Sequence, residues 1–156
     1  MAEPRPLRVL LVDDDETFRR VFGGALAEDG FVVDMVADGI EALERMNRRT
    51  FDLALVDLRM PRMDGLSLLQ ELERRHPATV PVVLTGFGSV SSAVEAVKSG
   101  AFDVIPKSAP TEQVFAVLRR AAEARLQSRA GTALGAAGEE IGLDIKLPLG
   151  VLAGWA

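Results

Sequence analysis

The sequence contains no cysteine, so neither disulfide bonds nor thiolate metal sites are available to it. It also lacks any apolar run of about 18 residues, the length that a membrane-spanning helix needs. Its first residues, MAEPRPLR, carry charges with no apolar segment after them, which argues against a signal peptide. These absences favour a soluble cytoplasmic protein that does not enter a membrane.

Positive charge is in the minority, because 18 Lys and Arg face 23 Asp and Glu, for a formal net charge of -5. An acidic balance argues against a broad nucleic-acid-binding surface, and we expect no nucleic acid to bind this chain itself. The one histidine, His76, lies at a predicted helix end, where the helix dipole favours a cation. We interpret His76 as structural rather than as a phosphorelay or metal-binding residue.

Between residue 7 and about residue 127, short apolar segments alternate with helical patterns. The predicted strands are LRVLLV, FVVDMV, FDLALVD, VPVVLT and FDVIPK. Strands joined by helical crossovers run parallel, and right-handed crossovers place helices on both faces of the sheet. The sequence therefore predicts an α/β fold, a (βα)5 doubly wound parallel five-stranded sheet. Val21 is expected on the buried face of the first helix, and Thr111 is expected to N-cap the last.

Three segments are predicted: a flexible N-terminus (1–6), one domain (7–127), and an Ala/Gly-rich linker with an apolar tail (128–156). Alternating apolar residues within IGLDIKLP suggest a short strand in that tail. Disorder, docking on the domain or a partner, and foreign or truncated sequence all remain open for it. No output domain is recognisable there.

Polar side chains follow four of the five predicted strands, and only the second strand delivers none. Asp13 and Asp14 follow the first strand, Asp57 the third, Thr85 the fourth and Lys107 the fifth. The carboxyl ends of parallel strands share one edge of the sheet, where ligands bind. Carboxylates suit Mg²⁺, while lysine and threonine can contact phosphate oxygens. Together these groups are the parts that phosphoryl transfer requires.

Some acidic residues at strand ends serve only to cap the next helix. Asp15 is well placed to cap the first helix, and Asp64 the third. Gly65 is expected where a Cβ would strain the backbone. For the whole constellation of strand-end residues, chemistry is favoured over capping.

The motifs LLVDDDE, LVDLRMPRMDG, VVLTG and GAFDVIPK, in this order, resemble the CheY-like receiver domain of two-component response regulators. The resemblance covers about residues 7–125 and implies the flavodoxin-like strand order 2-1-3-4-5. The segment VVLTGFGSVSSAVEAVKSGA is similar to RegA/ActR-type regulators.

By this resemblance Asp57 is the phosphoacceptor, receiving a phosphoryl group from a sensor histidine kinase. Asp13, Asp14, Asp57 and the backbone carbonyl of Arg59 would bind Mg²⁺, with Asp14 as a direct ligand. Lys107 would contact the phosphoryl oxygens. Thr85 would move to hydrogen-bond the phosphate and so signal the modification.

The resemblance also implies partners. These are the kinase, a downstream protein, and a second copy of the chain meeting through helix 4, strand 5 and helix 5. The domain would not be an enzyme beyond promoting its own phosphorylation and dephosphorylation. Arg59 and Phe87 occupy positions where bulk could hinder an attacking water, which predicts slow dephosphorylation.

Two positions depart from the receiver pattern. Val104 stands where an aromatic switch residue is usual, unless Phe102 or Phe87 substitutes for it. Ser108 follows the lysine where a cis-proline is usual, and a cis bond without proline costs about 2.5–4 kcal/mol. We therefore expect an atypical loop after Lys107.

Three alternatives stay open at this point. The chain could be the receiver fragment of a DNA-binding transcriptional regulator. It could be a degenerate, non-phosphorylated binding module. It could also be a haloacid-dehalogenase-type phosphatase, because DDDET fits the pattern with Asp13 as nucleophile and Asp15 as acid/base.

Overall fold

The computed structural model describes residues 5–86 and 90–130. Its strands are β1 (Arg8–Val12), β2 (Val32–Val36), β3 (Leu53–Val56), β4 (Val80–Thr85) and β5 (Val104–Pro106). Its helices are α1 (Glu16–Glu28), α2 (Gly39–Met46), α3 (Gly65–Arg75), α4 (Val90–Lys98) and α5 (Thr111–Ala130). The strands pair in parallel in the order β2-β1-β3-β4-β5. The predicted fold class and strand order are confirmed.

The central strands are almost continuously apolar because both of their faces are covered. β1 and β3 read RVLLV and LALV, and every residue of β3 is buried. β2 lies at the edge of the sheet and accordingly leaves Val32 and Met35 exposed. The central strands are therefore the rigid part of the domain, and their carboxyl ends are held at fixed spacing.

The two faces of the sheet are covered by different helices. On one face, Leu26 of α1 and Leu118 of α5 pack with strand residues such as Leu55. On the other, α2 and α3 contribute side chains such as Leu43 and Leu68, and α4 extends that layer. Each fully buried aliphatic side chain contributes about 1.5–3 kcal/mol of transfer free energy, so both layers stabilise the sheet.

Aspartates begin three of the helices. The side chain of Asp15 accepts a hydrogen bond from Phe18 N, and that of Asp64 accepts one from Ser67 N, so both predicted caps are confirmed. Asp38 caps α2 in the same way. The loops at the carboxyl edge of the sheet are thus fixed by backbone-to-carboxylate bonds.

Two predicted details of the helices are wrong. Val21 is 64% exposed, because the buried side of α1 runs through Gly23 and Leu26 instead. Thr111 is the first helical residue of α5 rather than the residue before it, and Pro110 O accepts the first helical hydrogen bonds.

α5 runs to Ala130, three residues past the predicted domain boundary, and the predicted tail strand lies outside the described residues. Within the described part of the chain, no helix combines the length and apolarity needed to cross a membrane.

Candidate functional site

Asp13 lies just beyond β1, and its carboxylate is 1% exposed. Its backbone N–H donates to Val36 O of β2, which fixes the residue against the neighbouring strand. One carboxylate oxygen accepts a hydrogen bond from Asp15 N at 2.9 Å, and the other lies 2.7 Å from Lys107 Nζ. The apolar strand thus delivers a buried carboxylate that contacts a cation from β5.

Asp57 follows β3 directly and is 4% exposed. Its N–H donates to Val12 O, so its backbone is held by β1. Thr85 Oγ1, at the end of β4, donates to Asp57 Oδ1 at 2.9 Å. Lys107 Nζ lies 3.5 Å from the other carboxylate oxygen. The two carboxylate oxygens of Asp57 therefore face different partners.

Asp13, Asp14 and Asp57 form a cluster whose carboxylate oxygens lie within 4.8 Å of one another. Asp13 and Asp57 are buried, whereas Asp14 is exposed and forms the solvent side of the cluster. Burial raises the pKa of Asp13, and the charge of Asp57 adds to this effect, although Lys107 opposes it. Lys107 contacts Asp13 and Asp57, so a cluster of three carboxylates receives one ammonium group and retains excess negative charge. This oxygen-only donor set fits a hard divalent cation such as Mg²⁺.

Lys107 is held by more than carboxylates. Burial acts to lower its pKa, but the hydrogen bond to Asp13 and the charges of Asp57 and Asp13 outweigh burial, and the pKa is raised. Its ammonium group also lies 4.3 Å from the centroid of the Phe18 ring, which stacks on Phe22. The contact between Phe18 and Lys107 was not predicted from the sequence.

Gly65 is confirmed as a point of close backbone approach. A Cβ on this residue would lie 2.6 Å from Leu58 Cα and would also clash with Asp57 O. The N–H of Gly65 donates to Leu58 O at 2.9 Å. A side chain here would push the start of α3 away from the segment that carries Asp57.

A second ion pair borders the site and was not predicted. Asp38, two residues after β2, is buried and accepts two hydrogen bonds of 2.9 Å from the Arg62 guanidinium. These bonds lower the pKa of Asp38. Arg62 itself has φ 66°, an uncommon conformation for a residue with a side chain. The prediction that the second strand brings no polar group to this edge was wrong, and Asp38 ties α2 to the loop after Asp57.

The two departures from the receiver pattern have structural counterparts. Val104 is completely buried, while Phe102 N donates to Pro81 O, at the opposite end of β4 from Thr85. Phe102 therefore does not substitute for the missing aromatic, and Phe87 lies outside the described residues. No peptide bond among the described residues is cis. Instead, the loop after Lys107 closes with a hydrogen bond from Ala109 N to Pro106 O.

The structure gives the carboxylates of DDDET different tasks from those of a phosphatase. Asp15, the acid/base of that alternative, accepts a hydrogen bond at the N-terminus of α1. Asp13, its nucleophile, is buried against Lys107. Asp57, which the alternative leaves without a function, lies at the centre of the site.

Comparison with known proteins gives the same picture. A family model for the response regulator receiver domain matches residues 9–119. The chain is 39% identical over 113 residues to the DNA-binding transcriptional regulator NtrC of Escherichia coli (strain K12), covering 72% of this chain and 24% of that protein. It is 36% identical over 113 residues to the transcriptional regulatory protein ZraR of the same organism, covering 72% and 26%. The chain thus spans about a quarter of the length of these curated relatives.

Solved structures agree in fold. A CheY-like receiver domain protein from Methanospirillum hungatei JF-1 superposes with a TM-score of 0.75 at 25% identity, covering 79% of this chain and 98% of that one. NtrX from Brucella abortus gives a TM-score of 0.77 at 31% identity, covering 83% and 29%. The more specific similarity to RegA/ActR-type regulators stays a prediction. The chain belongs to the response regulator receiver domain family.

Proposed function

We propose that Asp57 accepts a phosphoryl group from a phosphohistidine of a sensor histidine kinase. The observation that carries this proposal is the surroundings of Asp57. Its buried carboxylate contacts the Thr85 hydroxyl on one oxygen and lies 3.5 Å from Lys107 on the other, beside two further carboxylates. Catalysis of phosphoryl transfer consists mainly of positioning and charge neutralisation, and these residues supply both.

In the proposed step, a carboxylate oxygen of Asp57 forms a bond to phosphorus while the phosphorus–nitrogen bond to the histidine breaks. The imidazole leaves with the bonding electron pair and takes up a proton from water. The product is an acyl phosphate on Asp57. Lys107 Nζ, now 2.7 Å from Asp13, is close enough to shift towards the new phosphoryl oxygens.

Asp13, Asp14, Asp57 and the backbone carbonyl of Arg59 would hold Mg²⁺. When bound, Mg²⁺ supplies positive charge that offsets the carboxylates and the incoming phosphoryl oxygens. The raised pKa of Asp13 and the excess of carboxylates over ammonium groups support a cation site here.

The conformational signal would begin at Thr85. Its hydroxyl now donates to Asp57 Oδ1, and it would donate to a phosphoryl oxygen after modification. The buried Val104 offers no ring to follow this movement, so the output would pass mainly through the end of β4 and the start of α4. The face formed by α4, β5 and α5 is the proposed contact for a second copy or a downstream protein.

Two of the relatives, NtrC and ZraR, are transcriptional regulators, and NtrC is described as DNA-binding. We therefore propose that this receiver serves such a regulator, with DNA contact made by parts other than residues 5–130. The domain would act as a phosphoacceptor and not as an enzyme on other substrates. Its cytoplasmic location and slow dephosphorylation stay predictions.

Intact-mass measurement after incubation with Mg²⁺ and acetyl phosphate tests this function. We expect one added phosphoryl group on the wild type, none on Asp57→Asn, and none in EDTA. Asp64→Asn is the matched control, because Asp64 lies in the same loop but caps α3, and it should be phosphorylated like the wild type. An adduct on Asp57→Asn would assign the acceptor elsewhere, and no adduct from acetyl phosphate or any kinase would indicate the degenerate binding module.

A further inference from the structure

A cavity of about 390 Å³ opens at the amino-terminal ends of the strands, on the opposite edge of the sheet from Asp57. Its walls come from the loop between α2 and β3, the loop between α3 and β4, the segment before β1, and α5. The volume lies within the range of small-molecule sites in proteins. None of the residues assigned to phosphoryl transfer lines it.

The cavity is strongly cationic although the whole chain is acidic. Its lining contains the guanidinium groups of Arg5, Arg49, Arg75 and Arg125, and one carboxylate, Asp52. Both carboxylate oxygens of Asp52 already have hydrogen-bond partners. It accepts two bonds of 2.7 Å from Arg5 and one of 2.8 Å from Arg8 N, and it lies 3.1 Å from Arg125. The lining itself therefore holds four guanidinium groups and one carboxylate, and the partners of Arg49 and Arg75, which are Asp34 and Glu71, lie outside it.

Arg49 and Arg75 keep hydrogen-bond donors for a ligand. The Arg49 side chain is 60% exposed, and its ion pair with Asp34 is long, at 3.4 Å. The Arg75 side chain is 46% exposed and contacts Glu71 through Nε. A guanidinium group carries five N–H donors, so neither contact uses up its arginine.

Two nitrogens of the cavity wall are also unsatisfied. His76 Nε2 and Arg125 Nε are buried and have no hydrogen-bond partner among the described residues. Most buried polar groups in folded proteins find a partner, so two such atoms in one wall are unusual. Arg125 always carries a positive charge, so an anion in the cavity would place compensating negative charge near its guanidinium group.

We propose that this cavity is a second ligand site, which binds a small phosphate-bearing anion between Arg49 and Arg75. Guanidinium forks match phosphate oxygens in pairs, and two arginines from separate segments, Arg49 in the loop after α2 and Arg75 at the end of α3, suit a group with several such oxygens. Two other lining residues belong to different elements, because Arg125 lies on α5 and Asp52 immediately precedes β3. A ligand in the cavity would therefore stabilise α5 against the amino-terminal end of β3. The proposal does not depend on phosphorylation of Asp57.

Titration with inorganic pyrophosphate in EDTA tests the proposal, followed by calorimetry and by amide chemical shifts. We expect saturable 1:1 binding with shifts concentrated at residues 47–52 and 76–79. The double variant Arg49→Gln/Arg75→Gln should bind at least tenfold more weakly. Arg45→Gln is the matched control, because Arg45 shares the partner Asp34 but does not line the cavity, and it should bind like the wild type.

A parallel titration with ADP distinguishes the source of the phosphate. Tighter binding of ADP than of pyrophosphate would indicate a nucleotide, and equal or weaker binding would indicate a free phosphate compound. The proposal is overturned if neither probe binds saturably, if the double variant binds as well as the wild type, or if shifts are confined to residues around Asp57. The substituted arginines are both exposed, and thermal melting verifies that the variants fold.

Discussion

The two edges of the sheet hold buried aspartates in opposite electrostatic states. At the carboxyl edge, Asp13 and Asp57 share a single ammonium group from Lys107. At the amino edge, Asp52 alone receives two guanidinium groups and a backbone amide. Both edges bury carboxylates almost completely, so burial alone does not distinguish a functional carboxylate from a structural one. The balance of charge around the carboxylate distinguishes them.

The pKa values follow this balance. Burial acts to raise the pKa of Asp52, but the hydrogen bonds from Arg5 and Arg8 N outweigh it, and the pKa is lowered. Burial raises the pKa of Asp13, and Lys107 compensates only in part. The amino edge has a carboxylate whose charge is compensated and which stabilises the fold, whereas the carboxyl edge has a cluster with more carboxylates than ammonium groups. The same substitution at the two edges should therefore have opposite effects.

Asp52→Asn should produce the larger effect. It removes the charge that Arg125, largely buried, and Arg5 both contact, and it leaves Arg125 without its carboxylate partner. We expect a loss of about 3 kcal/mol in the free energy of unfolding, measured by urea denaturation at pH 7. Glu71→Gln, which breaks exposed ion pairs on α3, is the control and should cost less than about 1 kcal/mol. Equal losses in the two variants would contradict this account of the amino edge.

The Asp52 contribution should also depend on pH. Its folded pKa is lowered, so its stabilisation is fully present above the unfolded pKa of about 3.9 and is lost as pH falls through the folded pKa. The difference in unfolding free energy between the wild type and Asp52→Asn should therefore be constant near neutral pH and should disappear in acid. A gap that widened on acidification would show the opposite sign of the shift.

Asp13→Asn should stabilise the protein when no divalent cation is present. The raised pKa of Asp13 means that its ionised form is disfavoured by folding, so its ionisation costs stability as pH rises through the folded pKa. A neutral amide of the same shape can still accept from Asp15 N and relieves the repulsion by Asp57. We expect a higher free energy of unfolding than that of the wild type at pH 7 in EDTA, measured by urea denaturation.

Mg²⁺ provides the control for this prediction. A ligand that binds only the folded state stabilises it by mass action, so Mg²⁺ should raise the melting temperature of the wild type and raise that of Asp13→Asn much less. If Mg²⁺ stabilised both proteins equally, Asp13 would not belong to the cation site. If Asp13→Asn were destabilising in EDTA, its contact with Lys107 would outweigh the crowding of carboxylates.

The residues that meet at the carboxyl edge could be predicted from the sequence because one topological rule applies to all of them. Once the strands are taken as parallel, every residue just after a strand reaches the same edge, and Asp13, Asp57, Thr85 and Lys107 follow. The Asp38–Arg62 pair was not predicted, although Asp38 lies as far beyond β2 as Asp14 lies beyond β1. Its partner also adopts a positive φ that no sequence pattern at Arg62 signals.

The contacts and the cavity at the amino edge were not predicted, for a different reason. Asp52 precedes its strand, and its partners come from positions 47 residues away on one side and 73 on the other. No local spacing connects Arg5, Asp52 and Arg125, and the cavity beside them exists only after the loops are packed. Periodicity predicts which face of an element is buried, but it does not predict which charged side chains meet across loops.

Phe18→Leu tests whether Lys107 is held in place by its aromatic neighbour as well as by the carboxylates. The ring lies 4.3 Å from the ammonium group, and a cation–π contact of this kind contributes about 0.5–1 kcal/mol at partly exposed sites. We expect phosphorylation by acetyl phosphate to slow roughly threefold in Phe18→Leu, and Phe18→Trp to retain the wild-type rate. Phe22→Leu is the matched control, because Phe22 stacks on Phe18. Equal slowing in Phe18→Leu and Phe22→Leu would mean that Phe18 acts only through packing. The carboxylates of the carboxyl edge would then be the only groups that hold Lys107 in position.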